Sequence, residues 1–118
     1  MNALIQTIFS GFQVNGVTIP VKFLTYKGHG EPYVTYMQTD AQNSLSGDDA
    51  LLAYVDFYDF DVYAKDNYLP IIESVKDKLT EHGFMWQPSR TSADFYESDT
   101  GYYHKTLCFA VQRFNGGI

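Results

Sequence analysis

Apolar positions change their period along the chain, and each change marks an element. Leu4, Ile5, Ile8 and Phe9 recur at helical spacing ahead of Gly11, which predicts a short N-terminal helix. In "GVTIPVKFLTY" the period drops to two. Val17, Ile19, Val21 and Phe23 point one way, with Thr18, Lys22 and Leu24 the other, which predicts a strand. Pro20 cannot donate to a ladder, so that strand belongs at an edge or carries a bulge. The turn "KGHGEP" leads into a second strand, "YVTYMQT". Residues 40–49, "DAQNSLSGDD", hold turn formers and almost nothing to bury, and read as a long exposed loop.

The stretch "LLAYVDFYDFDVYAKD" predicts a third strand with an apolar pattern that changes phase. Val55 and Phe57 fall on one face, Phe60 and Val62 on the other. Either a β-bulge near Tyr58 and Asp59 restores one face, or the strand carries aromatics on both. "DNYLPIIESVKDKLTEHG" is the clearest helix. Asp66 or Asn67 can cap it, Pro70 sits in its first turn, and Gly83 ends it. Its apolar stripe is Leu69, Ile72, Val75 and Leu79, joined by Ile71. The last third predicts a hairpin, "FMWQPSRTSADFYE" against "GYYHKTLCFAVQRF", turning at Ser98–Gly101. Tyr103, Leu107, Phe109 and Val111 share its core face; His104, Thr106, Cys108 and Gln112 share the other. Residues 115–118 read as a flexible tail. Helix, three strands, helix, two strands describes a single α+β domain over 1–118, with an antiparallel or mixed sheet of about five strands.

Composition sharpens this picture in three ways. Aromatics make up 17% of the chain, which favours strands and leaves rings over for contacts. The net charge of −6 disfavours nonspecific binding to nucleic acid or to an anionic membrane. No apolar run approaches the length of a membrane span, and the N-terminal segment lacks a basic region of the kind that opens a signal peptide. Cys108 is the single cysteine, so neither an internal disulfide nor a multi-cysteine zinc site can form.

The chemical candidates centre on Asp56, Asp59 and Asp61. Asp59 and Asp61 lie two apart on one strand face, with Asp56 opposite unless a bulge turns it. Three readings stay open: a metal or acid–base cluster, a solvated strand face, or the wall of a charged opening. A calcium or magnesium site normally gathers more oxygen ligands, commonly from a loop, and no EF-hand spacing follows. His29, His82 and His104 are dispersed, and "KGHGEP" lacks the patterns of a phosphate cradle. No cofactor is therefore expected.

The acidic and aromatic strand "YVDFYDFDVYAKD", the capped helix after it, and the closing "GFMWQPSRTSADFYESDTGYYHKTLCFAVQRF" together resemble the tail terminator, or tail-completion, proteins of long-tailed phages and prophages of Gram-positive bacteria. The likeness spans most of the chain. Its most specific part is the hairpin from Glu97 through Asp99, Thr100, Gly101, Tyr102, Tyr103 and His104 to Lys105. The resemblance implies a structural, non-enzymatic subunit of the virion neck, assembled in the host cytoplasm. Its partners would be copies of itself in a ring, expected to be a hexamer, the tail tube protein, and the head-completion or connector protein. DNA would pass through the opening without sequence-specific binding. On that reading Asp56, Asp59 and Asp61 are candidates for an acidic wall of the opening. Asp40, Gln42, Asn43, Ser44, Leu45, Asp48 and Asp49 form a candidate assembly loop, and Phe95, Tyr96, Tyr102 and Tyr103 a candidate interface hairpin. The alternatives are a head-completion or neck protein, a small-molecule-binding or metal-dependent domain using the aspartates, and a host-directed inhibitor.

Overall fold

The computed structural model describes residues 2–27, 30–47 and 50–114. It is an α+β fold with this order: α1 (Asn2–Ile8), β1 (Gln13–Val14), β2 (Val17–Thr18), β3 (Val21–Phe23), β4 (Tyr33–Gly47), β5 (Ala50–Ala64), α2 (Leu69–Glu81), β6 (Met85–Trp86), a 3₁₀ turn (Pro88–Arg90), β7 (Phe95–Glu97) and β8 (Tyr102–Phe114). The main sheet has six strands in the order β3-β4-β5-β8-β6, with β7 also on β8. It is mixed: β3 runs parallel to β4, and the other pairs are antiparallel.

The expected first strand is broken in two. Asn15 and Gly16, both at positive φ, turn β1 back onto β2 as a tiny hairpin. The chain then passes Pro20 into β3, an edge strand as the proline requires. Of the alternating set, Ile19 and Val21 are buried, whereas Val17 and Phe23 are exposed.

The larger correction concerns residues 40–49. The polar run is not a loop over 40–47: it continues β4, and pairs with β5 from Tyr33↔Tyr63 to Gly47↔Ala50. Asp40, Gln42, Asn43, Ser44 and Leu45 therefore lie in a strand, and Asp48 and Asp49 lie outside the described residues. Backbone pairing takes no account of side-chain polarity, which is why the run looked like a loop. Register shifts between Gln38 and Asp40, Asn43 and Leu45, and Leu45 and Ser46 also break any alternation. The bulge expected near Tyr58 and Asp59 thus falls on β4, opposite Phe57 and Tyr58. β5 itself pairs without interruption from Ala53↔Phe114 to Ala64↔Tyr103. The molecule is elongated, with extents of 52 × 27 × 22 Å.

An uninterrupted β5 must carry aromatics on both faces, and it does. Tyr58, Phe60, Val62 and Ala64 join the main core with Leu107, Phe109 and Val111 of β8. Phe57 joins a second cluster on the opposite face with Cys108, Ala110 and Val55. Both helices lie on the main-core side: Ile5 and Ile8 from α1, and Ile71, Ile72, Val75 and Leu79 from α2. Leu69 is corrected out of that stripe, being 58% exposed at the first position of the helix. The expected cap at Asp66 or Asn67 is corrected: the N-cap is Tyr68, which makes no side-chain capping bond, and the Asn67 carboxamide oxygen accepts from the Leu69 N–H at 3.2 Å from one residue further out. Gly83, at φ 86, closes it, and the residue 115–118 tail lies outside the described residues.

Candidate assembly surfaces and the acidic strand

β5 separates the three aspartates. Asp56 has the parity of Tyr58 and Phe60, so it faces the helix side, where it is 2% exposed. Gln38 Nε2 lies 3.5 Å from its Oδ1. It cannot share a wall with the other two, which corrects the three-residue acidic face. Asp59 and Asp61 point to the opposite face with Phe57 and Tyr63.

Neither of these two is a free surface charge. Asp59 stands directly across the ladder from Cys108. Burial, then the neighbouring Asp61 charge, raises its carboxyl above the ordinary range; the Cys108 thiol and Arg90 oppose that rise. Burial and the Asp59 charge in turn push the Cys108 thiol up to about 11, leaving it protonated and unreactive near neutrality. Asp61 accepts from the Thr106 hydroxyl and lies 3.1 Å from His104 Nε2. The other imidazole nitrogen, Nδ1, is 3.5 Å from Glu97 Oε2, and the ring stacks on Tyr63 at 4.2 Å. His104 therefore ties β5 to β7 across β8. Among the described residues, no group of three His, Cys, Asp or Glu side chains is placed to hold a metal ion.

Pro88–Arg90 interrupts the expected long hairpin and splits its first arm into β6 and β7. The interruption brings Arg90 over the second apolar cluster, with its guanidinium carbon 3.9 Å from the Phe57 ring centre. The same guanidinium reaches Asp40 of β4 at 3.7 Å. Asp40 is held below the usual carboxylate range by the Gln42 amide and the Ala41 N–H. Nothing in the residue pattern announced this Arg90 bracket, because it depends on where Pro88 bends the chain.

The hairpin candidates divide by burial and not by strand parity, since Phe95 shares its face with Tyr102. Phe95, Tyr96 and Tyr103 are exposed, and the Tyr96 and Tyr103 rings lie 4.9 Å apart. Tyr102 is corrected out of the set: it is buried, its hydroxyl donates to the Glu31 carbonyl and accepts from the Gly30 N–H, both at 3.1 Å. Beside Tyr103 a cleft of about 610 Å³ opens between β8 and the start of α2. Its lining is Lys65, Asp66, Asn67, Tyr68, Leu69, Asp94 and Tyr103. Tyr68 donates to Asp94, which holds that carboxyl low. At the opposite edge of the sheet, Phe23 and Leu24 are exposed. Sequence reasoning missed both the cleft and the Leu24 edge. Leu24 had only its alternation as a signal, and that signal placed it on a strand face.

Compared with known protein families and with curated proteins, the chain matches none.

Proposed function

We propose that the protein is a structural subunit of a phage tail terminator, one that closes into a ring on the end of the tail tube and offers a joining surface to the head side. The observation that carries this reading is the pair of unlike sticky edges. One edge of the sheet exposes Phe23 and Leu24; the other exposes Phe95, Tyr96 and Tyr103. A subunit with two different, mutually accessible patches associates head to tail, and head-to-tail association closes into a ring when the rotation allows. Clustered exposed aromatic side chains, such as the Tyr96 and Tyr103 rings 4.9 Å apart, mark interaction surfaces, where aromatics are enriched. The resemblance carried by the β5 strand and the Glu97–Lys105 hairpin supplies the biological setting.

The ring's partners on this reading are the tail tube and a head-completion protein, and DNA crosses its opening. The net charge of −6 on each copy opposes phosphate sticking to the wall. Asp59 and Asp61, on the face away from the helices, are the wall candidates that remain after Asp56 is removed.

The test is electron microscopy of phage particles assembled without the protein. Headless tails of abnormal, overlong length support the terminator. Heads that lack tails while tails of normal length accumulate would overturn it in favour of head completion.

A further inference from the structure

β4 outruns its neighbour at the edge of the sheet. β3 pairs with it only from Val34 to Tyr36, and among the described residues no strand lies on that side of β4 from Met37 to Gly47. An uncovered strand edge is a template for a second chain, and folded proteins blunt such edges with bulges and charges. β4 carries both at one place, around Asp40.

Its bonds show which backbone groups point outward. The Val34 N–H donates to the Pro20 carbonyl at 2.8 Å, and the Tyr36 carbonyl accepts from the Leu24 N–H at 3.0 Å, so the even-numbered residues face β3. Plain alternation would give the next outward groups to Gln38 and Asp40. The register shift between those two changes the phase. Asp40 pairs with Phe57, whose carbonyl faces β4 and lies 3.4 Å from the Thr39 hydroxyl, and Ala41 takes the outward position opposite Asp56.

The Ala41 N–H does not stay open. It donates to Asp40 Oδ1 at 2.8 Å. The carboxylate is held from two further sides: Gln42 Nε2 donates to Oδ2 at 3.0 Å, and an Arg90 guanidinium nitrogen lies 3.7 Å from the same oxygen. Arg90 is itself seated on the Phe57 ring. The Asp40 carbonyl accepts from Gln38 Nε2 at 3.4 Å. A carboxylate laid across an outward N–H takes away the donor that an added strand needs, and it sets negative charge where that strand's carbonyl would lie.

We propose that Asp40 is an edge guard, which stops the open β4 edge of one copy from pairing with the same edge of a second copy. The bulge carries the carboxylate to the outward N–H, and Gln42 and Arg90 keep it there. The guard does not rest on the ring reading, because it concerns backbone pairing along β4 and not the exposed side chains at Phe23, Leu24, Tyr96 and Tyr103.

The experiment compares the full chain with Asp40→Ala, Asp40→Asn and the double variant Asp40→Ala/Ala41→Pro, by sedimentation velocity over a concentration series and by site-resolved amide exchange. Each should keep the wild-type circular dichroism spectrum and a cooperative melt; proline at position 41 removes an N–H that serves no ladder bond. In dilute solution the Ala41 amide should exchange about tenfold faster in Asp40→Ala than in wild type, the effect of one lost hydrogen bond. At higher concentration Asp40→Ala should form species heavier than any the wild type forms, with the Ala41 amide protected again within them. Asp40→Asn keeps an oxygen for the Ala41 N–H and should sediment as wild type does. The double variant has no N–H to offer and should do the same. An Asp40→Ala variant that sediments as wild type at every concentration would overturn the guard. An Asp40→Asn variant that associates as strongly as Asp40→Ala would show that charge, not the bond to Ala41, keeps the copies apart. A double variant that associates as strongly would place the new contact away from this edge. Each comparison is made against the wild type whether or not it forms rings, so failure of the guard leaves the ring reading untouched.

Discussion

Replacing Phe60 by Ala should be among the most damaging single changes in the sheet, and the structure says by how much. Phe60 is fully buried between the helices and β8. Its ring meets three others: Phe9 at 6.1 Å, Tyr36 at 5.5 Å and Phe109 at 5.8 Å. A buried Phe→Ala change costs about 3–5 kcal/mol. Losing three ring contacts at once, each worth about 0.5–1.5 kcal/mol beyond area, places Phe60→Ala at the upper end, about 4–5 kcal/mol. Phe60→Leu keeps most of the apolar volume and loses the ring geometry, so about 1–2 kcal/mol is expected. With about 2.1 cal/mol/K of unfolding entropy per residue, 118 residues convert each kcal/mol into about 4 °C of Tm. Phe60→Ala should therefore melt about 16–20 °C below wild type, and Phe60→Leu about 4–8 °C below. Phe57→Ala, on the other face, removes a small cluster and the Arg90 contact, so about 2–3 kcal/mol is expected. Urea denaturation of the four proteins, with melting curves alongside, gives the order directly. A Phe57→Ala variant that costs as much as Phe60→Ala, or a Phe60→Ala variant that costs under about 1 kcal/mol, would refute the assignment of the main core to the helix side.

Three further outcomes are expected. The raised Asp59 carboxyl contributes stability that is present below the ordinary carboxylate range and lost as pH rises through its raised value. Asp59→Asn should accordingly compare better with wild type at pH 7 than at pH 4 in urea melts; the reverse order would contradict it. The Cys108 thiol, buried and pushed up to about 11, should react with a thiol reagent at pH 8 at least a hundredfold more slowly in the folded protein than in denaturant, and stoichiometric labelling within seconds in the native state would show it accessible. Asn67→Ala should lower stability by about 0.5–1 kcal/mol through the lost bond to the Leu69 N–H ahead of α2, measured by urea denaturation, with no change meaning that this bond is not used in solution.

What the residue pattern revealed and what it concealed differ by the force involved. α2 was legible because burying Ile72, Val75 and Leu79 imposes a 3.6-residue period, and Pro70 in its first turn and Gly83 after its last mark its ends. The Ser98–Gly101 turn was legible because Gly101 takes a positive φ and donates to Glu97. The distal part of β4 was not legible, since a ladder of backbone hydrogen bonds can carry a polar run such as Asp40 to Ser46. The aspartates were half legible. Parity separated Asp56 from Asp59 and Asp61, but the burial of Asp56 depends on which face the helices cover. The exposed Leu24 edge and the cleft beside Tyr103 were not legible at all: one rests on a backbone conformation at positive φ, and the other is a gap between elements far apart in the chain.

The placement of β8 between β5 and β6 has a kinetic consequence. β4 and β5 are neighbours in the chain and can pair by a local search on the microsecond scale. β8 must find β5 across α2, and the Asp61–Thr106 bond alone spans 45 residues. Closing so long a loop is entropically costly before any contact rewards it, so docking of β8 is the expected slow step. Until then Phe60 lacks Phe109, and one whole side of β5 has no partner. Substitutions confined to the β4–β5 pairing should then slow folding, provided the hairpin is formed in the transition state, while those in the β6 and β7 contacts should mainly speed unfolding.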